Sequence, residues 1–234
     1  MDLELVVVDD GSDDGTLEAL RRVDDPRLRV LARPPNGRVA ALNTAVGAAR
    51  GRYIANLDAD DVALPGRLSA SVAFLDAHPA VGAVGSARVP NLGGSPGGVR
   101  RLPRSDAAIR WGFLVRNSMV HSAVTFRASA LRAIGGYDPA YERRCQDADL
   151  LLRIAARYRM RNLDAPLIAK RIHAEQHFAA VSRVHRARVH ARLRRRGARE
   201  LGFPAALRPL AAAVAGVAAL RSYVVIAGLG CSAK

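Results

Sequence analysis

The chain has 234 residues, half of them hydrophobic, so it is long enough for one large domain or for a domain with an appendage. Its two cysteines, Cys145 and Cys231, are too few and too far apart for a disulfide framework or a zinc site, and we expect thiols in a reducing compartment. The net charge of +15 is compatible with nucleic acid, an anionic membrane surface or an arginine-rich coding bias.

The first part of the chain alternates between apolar, β-branched runs and helix-like segments. The runs predict strands over residues 3–8, 28–31, 53–57 and 81–87. Helices are predicted from a cap at Ser12 or Asp13 to Arg22, over 39–49 and over 65–77. This order indicates an α/β fold with a parallel sheet, in which ligands bind beyond the carboxyl ends of the strands.

The second part of the chain continues the pattern after a Gly- and Pro-rich segment. That segment, 90–103, is interpreted either as a surface loop or as a lid over an active site. Helices are predicted over 105–114, with Ser105 as the cap, over 128–134 and over 147–158. A strand is predicted over 121–126.

Acidic clusters follow two of the predicted strands. Asp9 and Asp10 follow the first, and Asp58, Asp60 and Asp61 follow the third. Carboxylates this close repel one another, and burying them is costly unless they are paired. A divalent cation would remove the conflict, and oxygen ligands suit Mg²⁺ or Mn²⁺. For the second cluster a solvated acidic turn is the alternative.

A series of motifs, in the same order, resembles family 2 glycosyltransferases with the GT-A fold. The motifs are LVVVDDGSDDGT (5–16), RYIANLDADDVALP (52–65), FLDAHP (74–79), VGAVGS (81–86), HSAVTFR (121–127), GGYDP (135–139) and QDADL (146–150). The resemblance implies a nucleotide-diphospho-sugar transferase domain over 1–175, with a Rossmann-like, mostly parallel sheet flanked by helices, and a helical extension over 176–234. It implies transfer of a sugar from a nucleotide-sugar donor to a glycan or lipid-linked acceptor, with inversion, in the synthesis of cell-envelope glycans or polysaccharides.

The resemblance also implies roles for residues of both acidic clusters. Asp60 would bind the Mn²⁺ or Mg²⁺ ion that bridges the donor diphosphate, and Asp58 would contact the ribose or support the metal. Asp10, with Asp9 beside it, would contact the nucleotide, and Gly11 would let the backbone approach closely. A turn-capping role is the alternative for Asp10.

The motif at 146–150 resembles the family's catalytic motif. Asp147 matches the base that takes the acceptor proton, and a helix-capping role is compatible with it. The residue before it is Gln146 where the family pattern has an acid, and Asp149 is a weaker candidate base. His173 resembles a late histidine that reaches the metal or diphosphate, with a surface or packing role as the alternative. We interpret His121 as structural.

One element of the family pattern is missing. Family members begin with another strand and helix, and that strand lies in the middle of the sheet and contacts the nucleotide. Without it, two rows of backbone groups would lack ladder partners. We therefore expect weaker donor binding and lower stability, unless another segment fills the gap.

The end of the chain is first basic and then apolar. The basic part, 182–199, contains Arg183, Arg186, Arg188, Arg192, Arg194, Arg195, Arg196 and Arg199. It is either a solvated helix packed on the domain or a contact for an anionic membrane or lipid phosphate. The apolar part, 204–230, is a peripheral membrane helix or a closing core helix. Because the two parts adjoin, membrane contact is favoured.

Three functions compete at this level. The first is a glycosyltransferase in the cytoplasm, with the inner face of the membrane as a possible contact. This location is expected because residues 1–4 do not resemble a signal peptide and no apolar run is long enough to span a bilayer. The second is a non-catalytic remnant that does not bind donor, suggested by the missing strand and Gln146. The third, a nucleic-acid-binding protein, rests on charge alone, because the basic region lacks interleaved aromatics.

Overall fold

The computed structural model describes residues 2–92, 95–142, 145–172 and 183–228 as a succession of strands and helices. The strands are β1 (Leu5–Asp9), β2 (Leu28–Ala32), β3 (Tyr53–Ala55), β4 (Val62–Ala63), β5 (Val81–Leu92), β6 (Ser95–Pro96), β7 (Thr125–Arg127) and β8 (Arg159–Ile172). The α-helices are α1 (Thr16–Arg21), α2 (Arg38–Ala48), α3 (Arg67–Ala77), α4 (Asp106–Phe113), α5 (Ala128–Ala133), α6 (Gln146–Arg157), α7 (Arg183–Glu200) and α8 (Arg208–Gly228).

The strands form two sheets whose long ladders are parallel. β1 pairs with β2, and the second sheet has the order β3-β7-β5-β8-β4, with β6 paired to β5. The β1–β2 and β5–β8 pairs are parallel, and the shorter pairings are antiparallel. Most paired residues therefore lie in parallel ladders, as the sequence predicts. The carboxyl ends of β1 and β3 lead directly into the two acidic clusters.

No ladder joins the two sheets within the described residues. β1 pairs only with β2 and β3 only with β7, so each keeps one edge without a strand partner in that part of the chain. This separation leaves two strand edges open in the described part of the chain. It also leaves the three valines of β1 only half buried, although such a run is typical of a strand buried on both faces.

The main core lies between the second sheet and helices α4, α5 and α6. Its fully buried side chains include Phe126 of β7, Ile109 of α4 and Leu150 of α6. The C-terminal helices contribute to the same core through residues such as Leu201 and Ala211. They pack on the domain, and no described helix is long and apolar enough to cross a membrane.

Several element boundaries differ from the predictions. Ser12 and Asp13 do not cap α1, which starts after Gly15, because that glycine adopts a left-handed conformation (φ 83°) and redirects the chain. The predicted strand 121–126 begins only at Thr125, since residues 121–123 form a 3₁₀ turn. The predicted loop 90–103 instead contains the end of β5 and strand β6. Ser105 caps α4 as predicted, accepting from the Ala108 N–H at 3.3 Å.

Candidate functional site

The three aspartates after β3 form a compact group of carboxylates. One carboxylate oxygen from each of Asp58, Asp60 and Asp61 lies within 4.8 Å of the others. A turn closed by the Asp61 N–H donating to the Asp58 carbonyl at 3.1 Å brings them together. Three hard oxygen donors at this spacing fit Mg²⁺ or Mn²⁺.

Asp58 sits in a basic environment that keeps it ionised. Its carboxylate accepts from Arg38 Nη2 at 2.6 Å and from Ser122 Oγ at 2.7 Å, and His121 Nδ1 lies 3.7 Å away. Burial acts to raise the pKa of Asp58, but the hydrogen bond and charge of His121, with Arg38 and Ser122, hold that pKa well below its usual range. The carboxylate is therefore available as an anion at the site.

Asp61 is buried, and its carboxylate is held by residues at the end of β8. Its two oxygens accept from Lys170 Nζ at 2.9 Å and from the Arg171 N–H at 3.0 Å, which ties the cluster to the end of β8. The buried Arg67 lies nearby. Desolvation lowers the pKa of Arg67 to about 10 against the raising effect of Asp61. The solvated alternative for Asp61 is wrong, because the residue is only 6% exposed.

The first acidic cluster shapes the entry to α2. The Asp10 carboxylate accepts from the Gly37 N–H at 2.8 Å and the Asn36 N–H at 3.2 Å, and Arg33 Nε lies 3.3 Å away. These contacts are those of the turn-capping alternative. Gly11 has φ 83°, and a Cβ there would meet the Pro35 ring at 2.4 Å, so the backbone conformation and packing already require glycine.

Asp9, at the end of β1, carries an unsatisfied oxygen. The side chain is 5% exposed, and its Oδ2 accepts from the Ser12 N–H at 3.3 Å. Its Oδ1 is buried and has no hydrogen-bond partner in the described part of the chain. Buried polar atoms are normally paired, so this oxygen is suited to accept a hydrogen bond from a ligand.

Asp147 occupies the first turn of α6 and is half buried. Its Oδ2 accepts from Asn117 Nδ2 at 3.0 Å. Asp149, two residues later, is fully buried, with its oxygens on Arg153 (2.7 Å) and Arg196 (2.9 Å). An acceptor hydroxyl cannot reach it, so Asp149 as an alternative base is wrong.

The segment 117–123 connects the predicted base to the second acidic cluster. Asn117 at its start contacts Asp147, and Ser122 near its end contacts Asp58. Both carboxylates also act on one hydroxyl. Burial raises the pKa of Tyr137, and the charges of Asp147 and Asp58 raise it further. These two carboxylates are therefore neighbours although 89 positions separate them in the sequence.

The loop before α2 connects the first cluster to the second. Its Gly37 donates to Asp10, and the adjacent Arg38 donates to Asp58. The structure thus brings together Asp10, Asp58, Asp60 and Asp147. The remaining predicted site residue, His173, lies outside the described residues.

The sequence analysis missed several polar residues that hold the acidic clusters and Asp147 in place. They are Arg38, Asn117, Ser122, Tyr137, Glu142 and Lys170. None stands in an acidic cluster, and their partners are distant in sequence. The ring of His121, which we interpret as structural, contacts Asn56 Nδ2 at 3.0 Å and Tyr137 Oη at 2.7 Å.

Comparison with known proteins agrees with this geometry. The family model for glycosyl transferase family 2 matches residues 1–135, which is more than half of the chain. The chain belongs to glycosyl transferase family 2. The Asp58–Asp61 cluster is consistent with the D-x-D motif of this family 2 chain.

Curated relatives of this family 2 chain match it in part. EpsE of Bacillus subtilis (strain 168), named as a glycosyltransferase, is 35% identical over 156 residues, covering 64% of this chain and 55% of EpsE. The succinoglycan biosynthesis protein ExoO of Rhizobium meliloti (strain 1021) is 38% identical over 143 residues, covering 61% of this chain and 40% of ExoO. The chain thus spans about half the length of these relatives.

Solved structures show that the family 2 chain has the GT-A fold. S. aureus TarS in complex with UDP-GlcNAc superposes with a TM-score of 0.71 at 19% identity, covering 89% of this chain and 61% of TarS. The mannosyltransferase PcManGT from Pyrobaculum calidifontis, in complex with GDP-Man and Mn²⁺, gives a TM-score of 0.65 at 23% identity, covering 99% of this chain and 67% of PcManGT.

Proposed function

We propose that this chain transfers a sugar from a nucleotide-sugar donor to an acceptor hydroxyl, with a divalent metal and with inversion at the anomeric carbon. The observation that carries the proposal is the neighbourhood of the Asp58–Asp61 cluster and Asp147, both held by segment 117–123. One carboxylate cluster suits the charged end of the donor, and the separate carboxylate suits the acceptor.

The donor end is assigned to the two acidic clusters. Asp60 and Asp58 would hold Mn²⁺ or Mg²⁺, which when bound supplies Lewis-acid stabilisation of the leaving nucleoside diphosphate. Arg38, whose side chain is 41% exposed beside Asp58, is placed to add positive charge for the diphosphate. The unsatisfied Asp9 oxygen would accept a hydrogen bond from the nucleotide, with Asp10 and Gly11 shaping that side of the site. His173 remains a predicted metal ligand.

The acceptor end is assigned to Asp147. Its Oδ2 is held by Asn117, so within the described residues Oδ1 is the oxygen left to take the hydroxyl proton. The acceptor oxygen then attacks the anomeric carbon, and the bond to the diphosphate oxygen breaks, with its electron pair leaving on the diphosphate. Attack opposite the leaving group inverts the configuration.

The relatives support a biosynthetic role. The name of ExoO refers to succinoglycan biosynthesis, and that of AmsE of Erwinia amylovora to amylovoran biosynthesis. We therefore propose a glycan or lipid-linked acceptor in cell-envelope polysaccharide synthesis. The cytoplasm, at the inner face of the membrane, is the proposed location, because two cysteines in 234 residues are typical of a reducing compartment.

Donor hydrolysis and transfer assays test this function. A panel of UDP- and GDP-sugars would be incubated with the chain, with and without Mn²⁺. Turnover of one donor is expected, falling by about 100-fold or more in Asp60→Asn and Asp147→Asn. Asp164→Asn, on an exposed ion pair with Arg101, is the charge-matched control and should keep full activity. Equal turnover by wild type and Asp60→Asn would remove the metal assignment.

A non-catalytic remnant is the second candidate, favoured by the absence of a ladder between the two described sheets. It predicts that UDP with Mn²⁺ does not raise the melting temperature. Stabilisation by the ligand, rising with its concentration, would contradict this candidate and the expectation of weakened donor binding.

A further inference from the structure

Helix α2 begins without a cap of its own. Its N-cap residue is Gly37, which has no side chain to accept a hydrogen bond, and its first turn contains no acidic residue. The backbone N–H of Val39, the second residue of the helix, instead donates to the Glu142 carboxylate at 2.8 Å, across 103 positions of sequence. Glu142 therefore supplies the acceptor that a helix N-terminus normally obtains from a neighbouring side chain.

The Glu142 carboxylate also lies directly against the backbone of Gly37. A Cβ at Gly37 would lie 2.7 Å from Glu142 Oε1, and the residue has φ 89°. The N–H of the same glycine donates to Asp10 at 2.8 Å. The start of α2 is thus held between two carboxylates, one that follows β1 and one from the segment that leads to α6.

A second contact ties α2 to the segment before Glu142. Asn43 Nδ2 donates to the Tyr137 carbonyl at 2.9 Å, and Asn43 Oδ1 accepts from the Tyr137 N–H at 2.8 Å. Val39 and Asn43 are four residues apart, which is about one helical turn. The first turns of α2 are therefore fixed at two points to segment 137–142.

Arg38 lies between the two residues that these carboxylates hold. Its guanidinium donates to Asp58 at 2.6 Å, while the side chain is 41% exposed. Holding a long arginine side chain in one geometry costs conformational entropy, and that cost rises when the backbone from which it extends is also free to move. The contacts at Gly37 and Val39 therefore decide whether Arg38 reaches Asp58.

We propose that Glu142 is a positioning residue for the donor, which holds the start of α2 so that Arg38 lies beside Asp58 and the donor diphosphate. This inference rests on the proposed function and deepens it. It assigns to the donor end a residue from the segment that leads to Asp147, the predicted base.

The charge of Glu142 by itself predicts the opposite effect. An anionic diphosphate beside Arg38 is repelled by a carboxylate one residue away from that arginine, so removing the carboxylate would strengthen nucleotide binding. If Glu142 acts by positioning, its removal releases the start of α2 and weakens nucleotide binding. The sign of the change in nucleotide affinity therefore separates the two effects.

A double-mutant cycle with Arg38 tests the proposal. Binding of UDP and of GDP, each with Mn²⁺, is measured by calorimetry on the full chain. Arg38→Ala should raise the Kd about tenfold or more, the scale of one hydrogen bond to a charged group. Glu142→Ala should raise the Kd about fivefold, the scale of a lost helix cap. Because Glu142 acts through Arg38, the double variant should bind within about twofold of Arg38→Ala alone.

Two further variants separate the hydrogen bond from charge and from stability. Glu142→Gln removes the charge but keeps an oxygen that can accept from Val39, so its Kd should stay within about threefold of wild type. Asp106→Ala is the matched control, because the Asp106 carboxylate also accepts a distant backbone N–H, that of Met160 at 2.8 Å. Met160 lies at the start of β8, whereas Asp61 contacts the end of that strand. Asp106→Ala should lower the urea midpoint without changing the Kd.

Hydrogen exchange provides a measurement that needs no nucleotide. In the free protein the Val39 amide should exchange faster in Glu142→Ala than in wild type or Glu142→Gln. If Glu142→Ala does not fold, Glu142→Asp, which retracts the carboxylate by one methylene group, replaces it in the cycle and in the exchange measurement.

Several results would overturn the proposal. Unchanged or tighter nucleotide binding by the folded Glu142 variant would do so, as would full additivity with Arg38→Ala or an equal loss of affinity in Asp106→Ala. Unchanged exchange of the Val39 amide would also reject it. If wild type binds neither nucleotide, the proposed function fails and the positioning role falls with it. If wild type binds and Glu142→Ala binds equally well, the positioning role alone fails.

Discussion

Replacing Asp149 by Ala should destabilise the protein strongly. The side chain is fully buried in α6 and accepts from Arg153 Nε at 2.7 Å and from Arg196 Nη1 at 2.9 Å. Arg196 belongs to α7, so this carboxylate links α6 to α7. Its removal leaves two guanidinium groups without their shared anion.

The two arginines do not lose the same amount of stabilisation when Asp149 is removed. The Arg196 side chain is 30% exposed and also pairs with Glu200, so water and Glu200 compensate it in part. Arg153 is only 16% exposed, and its Nη2 is already buried without a partner among the described residues. Breaking a buried pair from one side costs about 3–5 kcal/mol. That is a large fraction of the roughly 5–15 kcal/mol that stabilises a typical domain.

Urea unfolding followed by tryptophan fluorescence measures this cost. Trp111 is the single tryptophan, and its ring centroid lies 4.6 Å from that of Phe203, so its emission reports contact between α4 and the C-terminal segment. Arg196→Gln should cost less, about 1.5–3 kcal/mol, because Arg153 still pairs with Asp149.

A surface pair provides the control for this series. Asp164→Ala, where the carboxylate is 43% exposed, should change the free energy of unfolding by less than about 1 kcal/mol. A loss below about 1 kcal/mol in folded Asp149→Ala would refute the reasoning, since it would mean that solvent already reaches the arginines. A larger loss in Arg196→Gln than in Asp149→Ala would refute it as well.

Three further predictions concern the site and its support. Asn117→Ala should lower kcat about tenfold with little change in stability, because Asp147 loses the hydrogen bond that orients it; an unchanged kcat would deny the positioning role. Burial raises the pKa of Asp58, but His121, Arg38 and Ser122 lower it by more, so this pKa lies below 3.8. The ionised Asp58 therefore contributes its full stabilisation above about pH 4, and this contribution is lost as the pH falls. The difference in the free energy of unfolding in urea between wild type and Asp58→Asn should shrink below about pH 4; a constant difference would contradict this. Gly85→Ala should lower the free energy of unfolding in urea by about 1–3 kcal/mol, because a Cβ there would lie 2.3 Å from Asn162 Oδ1. The amide group of Asn162 donates to two backbone carbonyls, which hold it in place. Wild-type stability of the variant would show that Asn162 can move.

Local chemistry predicted much of the candidate site. The family and the GT-A fold follow from motifs such as residues 5–16 and 52–65, and the comparisons confirm both. Asp9 and Asp58 were found because acidic residues directly after apolar strands are visible within a few positions. Their partners were not, since Arg38 and Ser122 lie in segments without any local mark of charge or pattern. Roles for the site residues stay predictions.

The sequence by itself determined where the helices and the first strands form and which acidic residues follow those strands, because backbone preference and hydrophobic periodicity act over a few neighbouring residues. It also showed that the chain end is rich in arginine. Only the tertiary structure decided which of those arginines pack against the rest of the protein and hydrogen-bond to it. Arg194 and Arg196 turn toward the domain while Arg188 and Arg192 face outward. That division depends on where α6 and α8 lie against α7, and such long-range packing leaves no mark in any short stretch of sequence.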